Sequence, residues 1–134
     1  MIDILFRGKR LDNGEWVYGF YCHVPRGRLD RDEHLIQTVK KSGKMGMLHC
    51  VDPSTVGQYT GLKDKNGKRI WEGDVLTVDG EVGCFELKFN ENTAMFIMDG
   101  DAIRASFNIF GTDEVEVVGN IHDNPELLEG GASE

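Results

Sequence analysis

Thr55-Val56-Gly57-Gln58-Tyr59-Thr60-Gly61-Leu62-Lys63-Asp64-Lys65-Asn66-Gly67-Lys68-Arg69-Ile70-Trp71-Glu72-Gly73-Asp74-Val75-Leu76-Thr77-Val78 is the stretch whose reading decides the fold. It holds two glycine-marked turns, an Asn-Gly pair and two β-rich runs. The Asn66-Gly67 pair predicts a type I′ hairpin, because that turn needs positive φ at both central residues, which Asn tolerates and Gly adopts freely. Ile70 and Trp71 enter a strand. Glu72-Gly73-Asp74 breaks it, with a carboxylate able to accept from nearby backbone N–H groups. Val75 to Val78 resumes as a β-branched run. A hairpin, a corner and an apolar strand in this order are what a small, sharply bent antiparallel barrel needs.

Upstream, Ile4–Leu11 and Glu15–Val24 flank Asn13-Gly14, a second hairpin signal. In the second of these strands Trp16, Tyr18, Phe20, Cys22 and Val24 alternate with Val17, Gly19, Tyr21 and His23. The first set is the more apolar, so alternation places it on the core. Pro25 to Glu33 reads as a polar loop, His34 to Val39 as a strand, Lys40 to Gly46 as a basic, glycine-containing hairpin tip, and Leu48 to Val51 as a short strand. Asp52-Pro53 opens a turn with Asp52 as cap. Downstream the chain reads as a meander. Asp79-Gly80 is a third hairpin signal; Phe85, Leu87 and Phe89 share one strand face; Met95–Met98 is a short strand. Ile103–Phe110 reads as strand followed by loop, Glu114–Ile121 as the closing strand, and Asp123–Leu128 as a capped helical turn. Many short strands separated by turn signals predict a sandwich or a small barrel.

The same residues carry a family likeness. Phe6-Arg7-Gly8-Lys9-Arg10, Asn13 to Gly19, Thr55 to Leu62, Asn66-Gly67, Glu72-Gly73-Asp74 and Val118 to Leu128, in this order and spacing, resemble the YopX family of phage and prophage proteins. The resemblance implies a mainly β protein with an SH3-like barrel, and it implies no activity. The expected organisation is an N-terminal β extension over residues 1–54, built on a β-hairpin, a small antiparallel SH3-like barrel over 55–128, and a flexible tail over 129–134.

Composition narrows the function classes. A chain of 134 residues with 40% hydrophobic and 28% charged residues is globular and long enough to bury a core without staples. No apolar run is long enough for a transmembrane helix, and the first residues lack the basic region and cleavage site of a signal peptide. Three scattered Cys fit a reducing cytoplasm. The net charge of −8 argues against non-specific DNA binding. Its distribution says more: up to Glu72 there are 13 Lys and Arg against 9 Asp and Glu, and beyond it 2 against 14. That split, +4 and −12, predicts two surfaces of opposite sign.

No reaction is spelled out. Cys22-His23, His49-Cys50 and Cys84 invite a zinc reading, but adjacent strand residues point to opposite faces, so each pair offers one ligand, and no metal or cofactor is expected. Cys22, Cys50, His34 and Asp123 are the thiol, imidazole and carboxylate material for a nucleophile, without a motif that joins them. Asp99-Gly100-Asp101 lacks the remaining oxygens of a calcium loop. Capping explains Glu72 and Asp74 better than acid–base chemistry does. The expectation is therefore a non-enzymatic cytoplasmic phage-type protein acting through protein contacts, self-association included. Arg26, Arg28, Arg31, Lys40, Lys41 and Lys44 are its interaction cations, and Met45 and Met47 its apolar contribution. A nucleic-acid-associated module using exposed aromatics beside Arg7, Lys9 and Arg10 stays open as the alternative, and a small enzyme is the weaker one.

Overall fold

Antiparallel ladders account for nearly all regular structure in the computed structural model, which describes residues 3–26, 31–100, 104–107 and 111–133. The chain divides into two units, Met1–Tyr59 and Thr60–Glu134.

The first unit holds β1 (Phe6–Lys9), β2 (Trp16–Val24), β3 (Glu33–Val39) and β4 (Met45–Cys50), in the order β4-β3-β2-β1. The opening of β5 (Gly57–Lys63) pairs with the far side of β1, Phe6 opposite Gln58. Asp52 caps the 3-10 turn at Pro53–Thr55, its Oδ1 accepting from Ser54 N–H at 3.0 Å, as the Asp-Pro pair predicts. Ile36 and Val51 are fully buried and close over Gly8, where a Cβ would sit 3.2 Å from both side chains. The Phe6 and Tyr21 rings, 5.5 Å apart, lie on the same side of the sheet, since Phe6 pairs with Gly19 and Tyr21 with Ile36.

That packing corrects the expected orientation of β2. Tyr18, Phe20 and Cys22 are exposed, and Gly19 is buried. Alternation identified the two sets of residues, but what covers each face decides which is core. Ile36 and Phe6 cover the side carrying Gly19 and Tyr21. Gly19 there lets β3 approach so closely that a Cβ would meet the Gln37 carbonyl oxygen. Tyr21 can serve this side because its hydroxyl has a partner, His34 Nδ1 at 2.6 Å.

The second unit takes the remainder of β5 beside β6 (Arg69–Trp71) and a sheet of β7 (Asp74–Val78), β8 (Phe85–Asn90), β9 (Met95–Asp99), β10 (Arg104–Ser106) and β11 (Val115–Asn120), in the order β10-β9-β8-β7-β11. Its core joins Ile70, Leu76, Val78, Phe85, Leu87, Met98, Phe107, Val115 and Val117. The helix α1 (Glu126–Ser133) follows, running further than the single turn expected from Asp123 to Leu128. The fold is thus mainly β with two antiparallel sheets. Among the described residues β10 and β11 stand at opposite ends of their ladder, so the sheet is open and no closed barrel forms.

The deciding stretch behaves differently in detail from its prediction. Gly67 has φ +81, but Asn66 does not share the positive value. Gly67 N–H donates to the Asp64 carbonyl at 3.0 Å and Asp64 N–H to the Lys68 carbonyl at 2.7 Å. This is a type I turn closed by a glycine bulge, not a type I′ turn. Asp64 explains the choice: its Oδ1 accepts from Asn66 and Lys68 N–H, both at 2.9 Å, which the type I geometry brings together. Its Oδ2 accepts from Val117 N–H at 2.9 Å, tying the hairpin to β11. At the Glu72-Gly73-Asp74 corner, buried Asp74 accepts from Trp71 N–H at 2.7 Å, as the sequence implies.

Candidate interaction surface

The predicted cations are separated into two groups by the first unit's hairpins. Lys40, Lys41 and Lys44 occupy the β3–β4 tip, where Gly43 (φ +86) repeats the turn seen at Gly67: Gly43 N–H donates to the Lys40 carbonyl and Lys40 N–H to the Lys44 carbonyl, both at 2.8 Å. Arg26 and Arg31 flank the β2–β3 connection, and Arg28 lies outside the described residues. Both described groups are exposed, but they sit at opposite ends of the seven-residue β3. At about 3.3 Å per residue that is roughly 20 Å, beyond the ~8 Å screening length of physiological salt. They are two patches, not one.

Between them lies a surface the sequence reading had assigned to the core. Cross-strand register puts Phe20, Gln37 and Leu48 in one row and Cys22, Leu35 and Cys50 in the next. Tyr18 is 45% exposed, Phe20 48% and Leu48 57%. A large apolar side chain left this open is the informative observation when several share one face. The face ends on β4, which has β3 on one side; on the other, among the described residues, only its Cys50 end is met, by Arg10 and Leu11, with Leu11 N–H donating to the Cys50 carbonyl at 3.0 Å. Met45 and Met47 project from this edge strand, Met47 at 71% exposure. On the same face toward β1, the Arg7 guanidinium carbon stands 4.7 Å and Lys9 Nζ 5.4 Å from the Trp16 ring centre.

The opposite face gathers titratable groups. His23 pairs directly with His34 across β2 and β3, and the rings stack 4.4 Å apart within 6° of parallel. Asp32 Oδ2 is 3.3 Å from His23 Nε2, and one donor atom from each of His23, Asp32 and His34 lies within 4.8 Å of the others. Burial, followed by the neighbouring Cys22, raises the Tyr21 phenol above its usual pKa, so it stays protonated beside His34. Asp32 and His34 also line a cavity of about 410 Å³ together with Arg31, Cys50 and Val51. This trio was not legible as a motif, since its spacing has meaning only once the hairpin register sets His23 opposite His34.

The other considered residues take structural or separate places. Cys22 and His23 alternate across β2, and Cys22 and Cys50 flank Leu35 two strands apart. His34 gives its Nδ1 to Tyr21 rather than to a thiol. Asp123 accepts from Asn120 Nδ2 at 3.1 Å. Asp99 is bonded to Lys88 at 3.0 Å, and Asp101 lies outside the described residues. No helix among the described residues is long and apolar enough to cross a membrane.

A family model described as YopX protein matches residues 5–129, nearly the whole chain. No curated protein matches it. Among solved structures, the crystal structure of protein EF1440 from Enterococcus faecalis is similar, with 26% identity and a TM-score of 0.58 over 96% of this chain and 99% of that one.

Proposed function

The chain belongs to the YopX family, and from that premise we propose that it is a non-enzymatic, cytoplasmic phage- or prophage-type module that self-associates through β2, β3 and β4. The observation that carries the reading is the exposed row of Tyr18, Phe20 and Leu48 running out to β4, whose outer edge before Cys50 meets no further strand among the described residues. An edge of this kind is a template for another strand. A second copy fits it by symmetry, because two antiparallel β4 strands make a self-complementary, two-fold contact. Antiparallel pairing centred on the middle of β4 leaves the Cys50 carbonyl to Leu11 and brings the Met45 end of one strand toward the Cys50 end of the other. Lys44 then approaches the partner copy's Asp52, while the two basic tips stay at opposite ends. Lys40, Lys41 and Lys44 are the cations of this contact, and Arg26 and Arg31 belong to the other patch. In the second unit the meander β7-β8-β9-β10, with β11 returning beside β7, supports an SH3-like reading by strand order. Concentration-dependent amide exchange tests the contact. Protection of β4 amides should rise from dilute to tens-of-micromolar protein while that of β7 stays constant. Equal protection of β4 at both concentrations contradicts it.

A second reading has an observation of its own. Lys9, Trp16, Tyr18 and Phe20 form a cationic and aromatic strip, the pairing on which single-stranded nucleic acid stacks. The neighbours Leu48 and Val39 are apolar rather than basic and the chain carries −8, which favours the protein partner. Polarisation of labelled single-stranded DNA and RNA, with affinity falling steeply with salt, identifies the nucleic-acid reading.

A further inference from the structure

We propose that His23, Asp32 and His34 form a binding site for a divalent transition metal of the zinc class, on the face of the sheet opposite Phe20 and Leu48. Two imidazoles and a carboxylate are a donor set that suits zinc, nickel or copper, and three protein ligands leave one position open. The backbone supplies the preorganisation. His23 and His34 are direct partners in the antiparallel ladder, so their side chains leave the sheet on the same side. Asp32 precedes the start of β3 and reaches back to them.

The distances are near those of a chelate, and the stacked rings need one imidazole to turn, since a metal lies in the plane of each ring that binds it. Bonds of about 2.1 Å at a tetrahedral metal hold two donors roughly 3.4 Å apart. His23 Nε2 and Asp32 Oδ2 are already 3.3 Å apart, and the full set closes within 4.8 Å. Bringing in the third donor needs a shift on the order of 1 Å together with a turn of the His23 ring out of its stack on His34, and the exposed side chains of His23 and Asp32 have room for both.

A second observation points the same way. Ligating histidines are oriented by a hydrogen bond at their other ring nitrogen. With His34 Nδ1–H donating to the Tyr21 hydroxyl oxygen 2.6 Å away, the tautomer that metal binding selects, Nε2 is left for a metal, and the Tyr21 and His34 rings are stacked within 10°. Tyr21 is therefore a positioning residue. The cavity of about 410 Å³ that Asp32 and His34 line gives the open position room for water or a small anionic ligand, and Arg31 stands at the same cavity as the counter-charge. This set differs from the Cys–His pairs of the sequence, whose members face apart.

Isothermal titration of Zn²⁺ into the tag-free, chelator-treated full chain tests the site, with Co²⁺ absorption as the ligand-field readout. The expected result is one metal per chain. His23→Ala and His34→Ala should each weaken binding at least tenfold, and His49→Ala should leave it unchanged. Tyr21→Phe should keep the stoichiometry, lower the affinity by about tenfold and change the Co²⁺ spectrum. If His34→Ala fails to fold, the exposed positions carry the test through His23→Gln and Asp32→Asn. No binding at about 100 micromolar Zn²⁺, equal loss in His49→Ala, or one metal shared by two chains would overturn the proposal.

Discussion

Asp64 shows how one side chain can hold a fold that carries no disulfide. It is 6% exposed and accepts from three backbone N–H groups that lie as far apart in sequence as Asn66 and Val117. Burial alone would raise its pKa. The hydrogen bonds from Val117, Lys68 and Asn66, with the nearby Lys68 charge, outweigh burial and leave it below the usual carboxylate value. A depressed folded-state pKa means the contribution is fully present above the unfolded value near ~4 and is lost as pH falls through the lower folded value. Asp64→Asn, which keeps the shape but replaces one acceptor oxygen by a donor, should cost about 1–3 kcal/mol at neutral pH. It should also flatten the dependence of stability on pH below 4. Chemical denaturation at pH 7 and pH 3 measures both. A variant as stable as the wild type at pH 7 would remove Asp64 from this role.

At the scale of elements, the turns were more legible than the faces. The glycine of each pair read as a hairpin signal has positive φ: +73 at Gly14, +81 at Gly67 and +83 at Gly80. The residue before it does not. A dipeptide identifies where the chain reverses, while the exact turn depends on side chains such as Asp64 that the dipeptide does not contain. Gly67 has nothing within 4 Å of where a Cβ would stand, so Gly67→Val meets no clash and carries backbone strain alone, about 1–3 kcal/mol. Gly67→Asn should recover much of that, since Asn tolerates the left-handed region. Equal denaturation midpoints for wild type and Gly67→Val would contradict the positive φ. The strand β2 marks the limit of the sequence. Period-two alternation grouped Tyr18 with Phe20 and Cys22 correctly, but nothing in that pattern says which side Phe6 and Ile36 will cover. The His23–Asp32–His34 trio was hidden for a related reason: its members meet through ladder register, which no local spacing encodes.

The charge asymmetry of the whole molecule survives in weaker form. Up to Tyr59 the chain carries 9 Lys and Arg against 7 Asp and Glu; from Thr60 it carries 6 against 16. The halves are therefore +2 and −10, because the basic run Lys63–Arg69 belongs to the acidic unit. There Lys65 is already bonded to Asp79 at 3.1 Å and lies 3.7 Å from Glu116. Of the six cations first read as one surface, the five described ones fall at two ends of β3. Exposed ion pairs add little each, so charge steers association and apolar contact must hold it. The exposed row from Tyr18 to Leu48 supplies that contact. Sedimentation velocity at tens of micromolar, in low and high salt, tests this most directly, comparing the wild type with Phe20→Glu and Leu48→Glu. The account predicts a wild-type dimer that weakens but persists at high salt, and monomers for both folded variants. A wild-type monomer in both salts, or variants that associate as the wild type does, would contradict it.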